Sequence, residues 1–146
     1  MAEMTARLDH VGLAVADLGA SAAWYCDVFG LEPELTLRVE AIDLSIEMLI
    51  HPAFGYRVEL LHRPGTGDGT GSGPKPAHPA AAALRAGYGH VAFAVADLDA
   101  AYDHAVARGA RPVMAPCPAP EPGVRMAFVA DPEGNLVELL DRGRKQ

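Results

Sequence analysis

The chain has 146 residues, enough for one compact domain or two very small ones. Half of them are apolar and 21% charged, as in an ordinary globular protein, and the formal charge of −7 argues against nucleic acid, whose phosphates need clustered Lys and Arg. No apolar run approaches the roughly 20 residues of a membrane helix. The opening MAEMTARLDH lacks the basic and apolar regions of a secretory signal, and two cysteines, Cys26 and Cys117, suit a reduced, cytoplasmic setting better than a disulfide framework.

In chain order, Leu8 to Ala16 alternates: Val11, Leu13 and Val15 face one way, His10, Gly12 and Ala14 the other, which predicts a strand. Asp17 is an N-cap for a helix over Leu18 to Phe29, which Gly30 ends. Pro33 resists further helix. Strands are predicted over Leu35 to Ile42 and Leu44 to Ile50, with a weakly marked break between them. A turn at His51 to Gly55 leads into a strand over Tyr56 to Leu61.

Residues 63–87 are rich in Gly and Pro, which propagate neither helix nor strand, so the stretch is predicted as a linker or a surface loop, with a helical turn at Ala80 to Ala86. The plan then recurs. A strand is predicted over Gly89 to Ala96, with Asp97 as N-cap, a helix over Leu98 to Arg108 and Gly109 at its end. Arg111 to Ala115 is a short strand, Ala115 to Gly123 a Pro-rich loop, Val124 to Ala130 a strand, DPEGN a turn and Leu136 to Leu140 the last strand.

The recurrence is literal. LDHVGLAVADL at Leu8 to Leu18 returns as GHVAFAVADL from Gly89, and VELL at Val58 returns at Val137. His10 and His90 are 80 residues apart, Glu59 and Glu138 79. One unit written twice predicts two βαβββ modules, 8–62 and 88–141, joined by 63–87. The expected class is α+β, the modules forming a cupped eight-stranded mixed sheet with helices on the outer face. Val11, Leu13, Val15, Val58 and Leu60 are expected to face the first helix. The opposite face carries His10, Arg57, Glu59 and Leu61.

His10, Glu59, His90 and Glu138 thus occupy matching places on the polar side of otherwise apolar strands. Two neutral imidazoles and two carboxylates suit a first-row divalent ion (Ni, Co, Zn, Mn or Fe), and the two negative charges balance its own. A six-coordinate ion keeps two places for water or a substrate with adjacent oxygens. Taken singly, each His or Glu reads more readily as an ordinary strand residue. Duplication accounts for recurring Val and Leu, but not for His and Glu recurring together on one face.

LDHVGLAVADL, YCDVFGLEP, YRVELL, GYGHVAFAV and FVADPEGNLVELL resemble the vicinal oxygen chelate superfamily, which includes glyoxalase I, methylmalonyl-CoA epimerase, extradiol dioxygenases and the fosfomycin- and bleomycin-resistance proteins. The resemblance runs from Leu8 to Asp141. It implies paired βαβββ modules around a metal, with ligand positions falling on His10, Glu59, His90 and Glu138. The order His-Glu-His-Glu is most similar to bacterial glyoxalase I. The Arg that such enzymes use on the first strand to hold glutathione has no counterpart in Gly12-Leu13-Ala14-Val15, nor has their Asn in Leu61-His62-Arg63.

The implied reaction is that of a lyase or isomerase: a carbonyl is polarised by the ion, and Glu59 or Glu138, with Glu138 preferred, takes the neighbouring proton. Alternatives are an epimerase-like isomerase, an extradiol-type dioxygenase and a non-catalytic drug- or metabolite-binding protein. Arg57, His62, Met126 and Phe128 are candidates for substrate contact. The expected assembly is a homodimer, with modules paired within one chain or exchanged between two.

Overall fold

The computed structural model describes residues 4–67 and 74–143. Its strands and helices are β1 (His10–Ala14), α1 (Leu18–Phe29), β2 (Glu32–Val39), β3 (Leu44–Ile50), β4 (Arg57–His62), α2 (Pro79–Ala82), β5 (Val91–Ala94), α3 (Leu98–Ala107), β6 (Arg111–Pro118), β7 (Arg125–Ala130) and β8 (Leu136–Asp141). The fold is α+β. Its eight strands form two four-stranded mixed sheets of the same plan, β1-β4-β3-β2 and β5-β8-β7-β6. The chain divides into two compact units between Thr66 and Gly67.

In the first unit the ends of α1 follow from single residues. The Asp17 carboxylate accepts from the Ala20 N–H at 2.9 Å, and Gly30, at a φ of 68°, donates to the Cys26 carbonyl. Strand β1 lies parallel to β4, with His10 opposite Arg57 and Gly12 opposite Glu59. Val15 continues the ladder by donating to the Leu61 carbonyl. Under α1 the sheet buries Val15, Leu49, Val58 and Leu60, and the helix contributes Trp24, Tyr25 and Val28. Val11 and Leu13 have the expected parity but are only half-buried, since β1 is a sheet edge.

The weakly marked break is a single 3-10 turn at Glu40–Ile42. It ends on Asp43, the only non-glycine residue with positive φ (52°) among those described. Both second strands outrun expectation. Strand β2 starts at Glu32 and passes through Pro33, and β6 runs to Pro118 where a loop was expected from Ala115. Proline supplies no N–H, so it belongs on edge strands or at bulges. Both strands are edges, and their registers slip at Pro33/Leu35, Pro112/Met114 and Met114/Cys117.

In the second unit, Asp97 caps α3 by accepting from Ala100 N–H at 3.0 Å. Ala127, Val129, Val137 and Leu139 share a strand parity and are buried, as are Leu98 and Ala105 of α3. Residues 74–87 of the expected linker belong to this unit. Lys75 Nζ donates to the Glu133 carbonyl at 2.8 Å and to Asn135 Oδ1 at 3.2 Å, while Ala82 of α2 packs on Phe128 and Leu136. The helical turn is shorter than expected, four residues, and His78 caps it through Nδ1. Residues 68–73 of the same stretch lie outside the described residues.

Arg125 makes two hydrogen bonds to Asp99 near the start of α3, at 2.8 and 3.1 Å, which hold the Asp99 carboxyl below the ordinary aspartate value of 3.8. A depressed carboxyl stabilises the fold above its unfolded pKa, and that contribution is lost as pH falls through the folded value. In Arg125→Ala the Asp99 titration should therefore move upward toward 3.8, read by carboxyl NMR across acid pH.

Candidate functional site

Each unit brings one imidazole and one carboxylate together. The means is the same in both: a first strand lying parallel to a last strand at the sheet edge. In the first unit, His10 Nε2 is 3.8 Å from Glu59 Oε2, and in the second His90 Nε2 is 3.0 Å from Glu138 Oε2. The acids sit deeper than the imidazoles: Glu59 is 20% and Glu138 14% exposed, against 36% for His10 and 41% for His90. Parity places each pair on the sheet face opposite the buried Val58 and Leu60, or Val137 and Leu139.

The two pairs differ in their surroundings. His10 Nδ1 donates to Asp9 Oδ2 at 2.7 Å, because an ionised carboxylate can only accept. That bond raises His10 above its ordinary value, desolvation opposing it and the Glu59 charge adding to it, and Asp9 is lowered in turn. At the matching place in the second unit stands Gly89. His90 instead meets the edge of the Phe128 ring, with centroids 5.3 Å apart and planes at 80°. Phe128 lies opposite Glu138 in the ladder and is buried.

The other candidates have defined partners. Arg57 grips Glu34 with two hydrogen bonds, 2.7 and 2.8 Å, and holds that carboxyl below its ordinary range. Its Nη1 is 4.0 Å from Asp9 Oδ1. His62 Nδ1 donates to the Val15 carbonyl at 2.9 Å, which ties the end of β4 to the end of β1. Met126 is half-buried against the Ala82, Phe128 and Leu136 cluster. His51 accepts from the Ala53 and Phe54 N–H groups and so builds its own turn. Sequence reasoning missed Asp9, although a carboxylate adjoining the His of one copy and absent from the other was a visible signal. It also missed Ala82, which no pattern marks.

Among the described residues no three His, Cys, Asp or Glu side chains are gathered to hold an ion; each unit by itself brings one His and one Glu together. The donor types fit a divalent metal. Two donors about 2.1 Å from one ion stand about 3.0 Å apart at a right angle and about 3.4 Å at a tetrahedral angle. The His90–Glu138 pair, at 3.0 Å, has such a separation, and the His10–Glu59 pair, at 3.8 Å, is wider.

Two βαβββ units, each carrying a His at or just before its first strand beside a Glu on its last, define a two-module α+β protein. The chain belongs to the Glyoxalase/Bleomycin resistance protein/Dioxygenase superfamily, whose model matches residues 7–139. It is 28% identical over 142 residues to a probable lactoylglutathione lyase of Synechocystis, covering 94% of this chain and 96% of that one. A glyoxylase/bleomycin resistance protein/dioxygenase domain from Frankia has the same fold, with a TM-score of 0.73 at 20% identity over 94% of this chain and 98% of the other. Glyoxalase I from Zea mays matches with a TM-score of 0.70 at 22% identity over 92% of this chain, which spans only 44% of the maize chain.

Proposed function

We propose that the protein is a metal-dependent lyase or isomerase of the glyoxalase I type. On this reading it moves a proton next to a carbonyl of a small substrate with adjacent oxygens, and His10, Glu59, His90 and Glu138 form the ligand set of one divalent ion. The observation that carries the reading is the duplicated His/Glu pair, in the same register in both units, with donor atoms 3.8 and 3.0 Å apart. Membership of the superfamily and likeness to a probable lactoylglutathione lyase support it.

Bound there, a divalent ion supplies Lewis-acid stabilisation for charge developing on a carbonyl oxygen. The chain's own residues do the rest. Glu138, the less exposed carboxylate, takes the proton from the carbon beside that carbonyl and returns it to the neighbouring carbon or to the opposite face of the same one. The net change is an isomerisation, with no oxidant or reductant consumed. Phe128 walls the His90 side, and Met126 lies farther along the same strand face. Arg57 is bound to Glu34 and His62 to the Val15 carbonyl, which ties both side chains to their own sheet.

The assembly is a homodimer on this reading, supported by the exposed apolar row Leu35, Leu37 and Val39 on β2, with Ile42 beyond it. The test of the reaction is solvent deuterium incorporation, measured over a panel of α-oxo compounds and their thiol adducts with metal-loaded and metal-stripped protein. Exchange only in the loaded sample supports the reading. Tight ligand binding with no exchange favours a sequestering protein, and oxygen uptake with catechols on the ferrous-loaded sample favours a dioxygenase.

A further inference from the structure

The two His/Glu pairs come from one duplicated unit, yet they are not chemically equivalent, and the difference lies behind the imidazoles. Asp9 Oδ2 accepts from His10 Nδ1 at 2.7 Å, whereas Gly89 has no side chain to offer His90. A neutral imidazole carries one ring proton, so a proton fixed on Nδ1 leaves Nε2 as a lone pair. Nε2 is the His10 atom that faces Glu59. Asp9 is itself held in a row of alternating charge. Glu34 binds Arg57 through two hydrogen bonds, Arg57 Nη1 is 4.0 Å from the free oxygen of Asp9, and His10 and Arg57 are direct neighbours across the β1–β4 ladder. The row Glu34–Arg57–Asp9–His10–Glu59 thus fixes both the orientation and the tautomer of His10. No side chain at position 89 does this for His90, whose ring meets Glu138 through Nε2 at 3.0 Å and the edge of Phe128, with no carboxylate described at Nδ1.

We propose that Asp9 is a positioning residue that presets His10 as a ligand for a divalent cation, by holding its proton on Nδ1 and leaving Nε2 free to bind. This rests on the reading of the His and Glu residues as ligands. Carboxylates on the far nitrogen of ligating imidazoles act in this way, and their loss weakens metal binding by roughly 10–100-fold.

The test uses the full chain in three forms: wild type, Asp9→Ala and Asp9→Asn. Long-range proton–nitrogen NMR of the metal-free proteins reads the ring nitrogens directly. His10 should carry its proton on Nδ1 in the wild type and keep it there in Asp9→Asn, whose amide oxygen still accepts. In Asp9→Ala it should become a mixture of tautomers, with His90 unchanged. Titration with Co2+ should show affinity reduced about 10–100-fold in Asp9→Ala and largely restored in Asp9→Asn. Identical His10 nitrogen signatures in wild type and Asp9→Ala overturn the proposal, as does cobalt affinity left unchanged in Asp9→Ala. Absence of cobalt binding in the wild type sinks the ligand reading, and the metal-free spectra still report on the role of Asp9.

Discussion

Glu138→Gln is expected to lower proton exchange in the metal-loaded protein by about 10²–10⁴-fold, the usual size of a lost general base. The glutamine oxygen still donates a lone pair, so metal content should fall little while exchange collapses. Glu138 lies 3.0 Å from His90 and at 14% exposure is the deeper of the two acids, which is why the larger loss is assigned to it. Glu59, 3.8 Å from His10 and 20% exposed, should give the smaller loss when changed to Gln. Exchange rates measured beside metal content separate a missing base from a missing ligand. Undiminished exchange in both variants contradicts the proposed chemistry.

Leu139→Ala carries the second large effect, on stability. Leu139 is 1% exposed on β8, between Phe93 of β5 and Ala127 of β7, with the α3 packing face above it. Truncating a leucine in such a place removes transfer free energy and leaves a cavity, at a cost of about 2–5 kcal/mol. Against a total of about 5–15 kcal/mol for a typical domain, that is a large share. Leu84, 88% exposed, is the control, and Leu84→Ala should stay within about 0.5 kcal/mol. Urea unfolding of both variants, compared at the midpoint, reads the difference.

Most of the fold was legible because the unit is written twice. Helix α1 and strand β3 fall where capping and alternation put them, and Asp17 and Asp97 both act as the caps their positions implied. Edge strands were harder to see. Pro33, Pro112, Pro116 and Pro118 look like loop residues until the topology shows that β2 and β6 need no N–H on their outer side. The stretch 63–87 misled for a related reason. Its composition is that of a linker, yet Lys75 and Ala82 attach residues 74–87 to the second unit through contacts that no local pattern records.

At the site, parity alone put His10 with Glu59 and His90 with Glu138, since strands on one edge share a face. Parity could not show what else those side chains meet. Arg57 shares the face but is drawn to Glu34, 23 residues earlier, and His62 turns to a backbone carbonyl. Such partners depend on register between strands distant in the chain, and a single sequence does not display register.

The most direct measurement is the metal content of the purified chain, taken alongside the double variant His10→Ala/His90→Ala. One divalent ion for each set of His10, Glu59, His90 and Glu138 in the wild type, with none retained by the double variant after dialysis, is the predicted result. A wild type that takes up no divalent ion, or a double variant that holds it undiminished, contradicts the account.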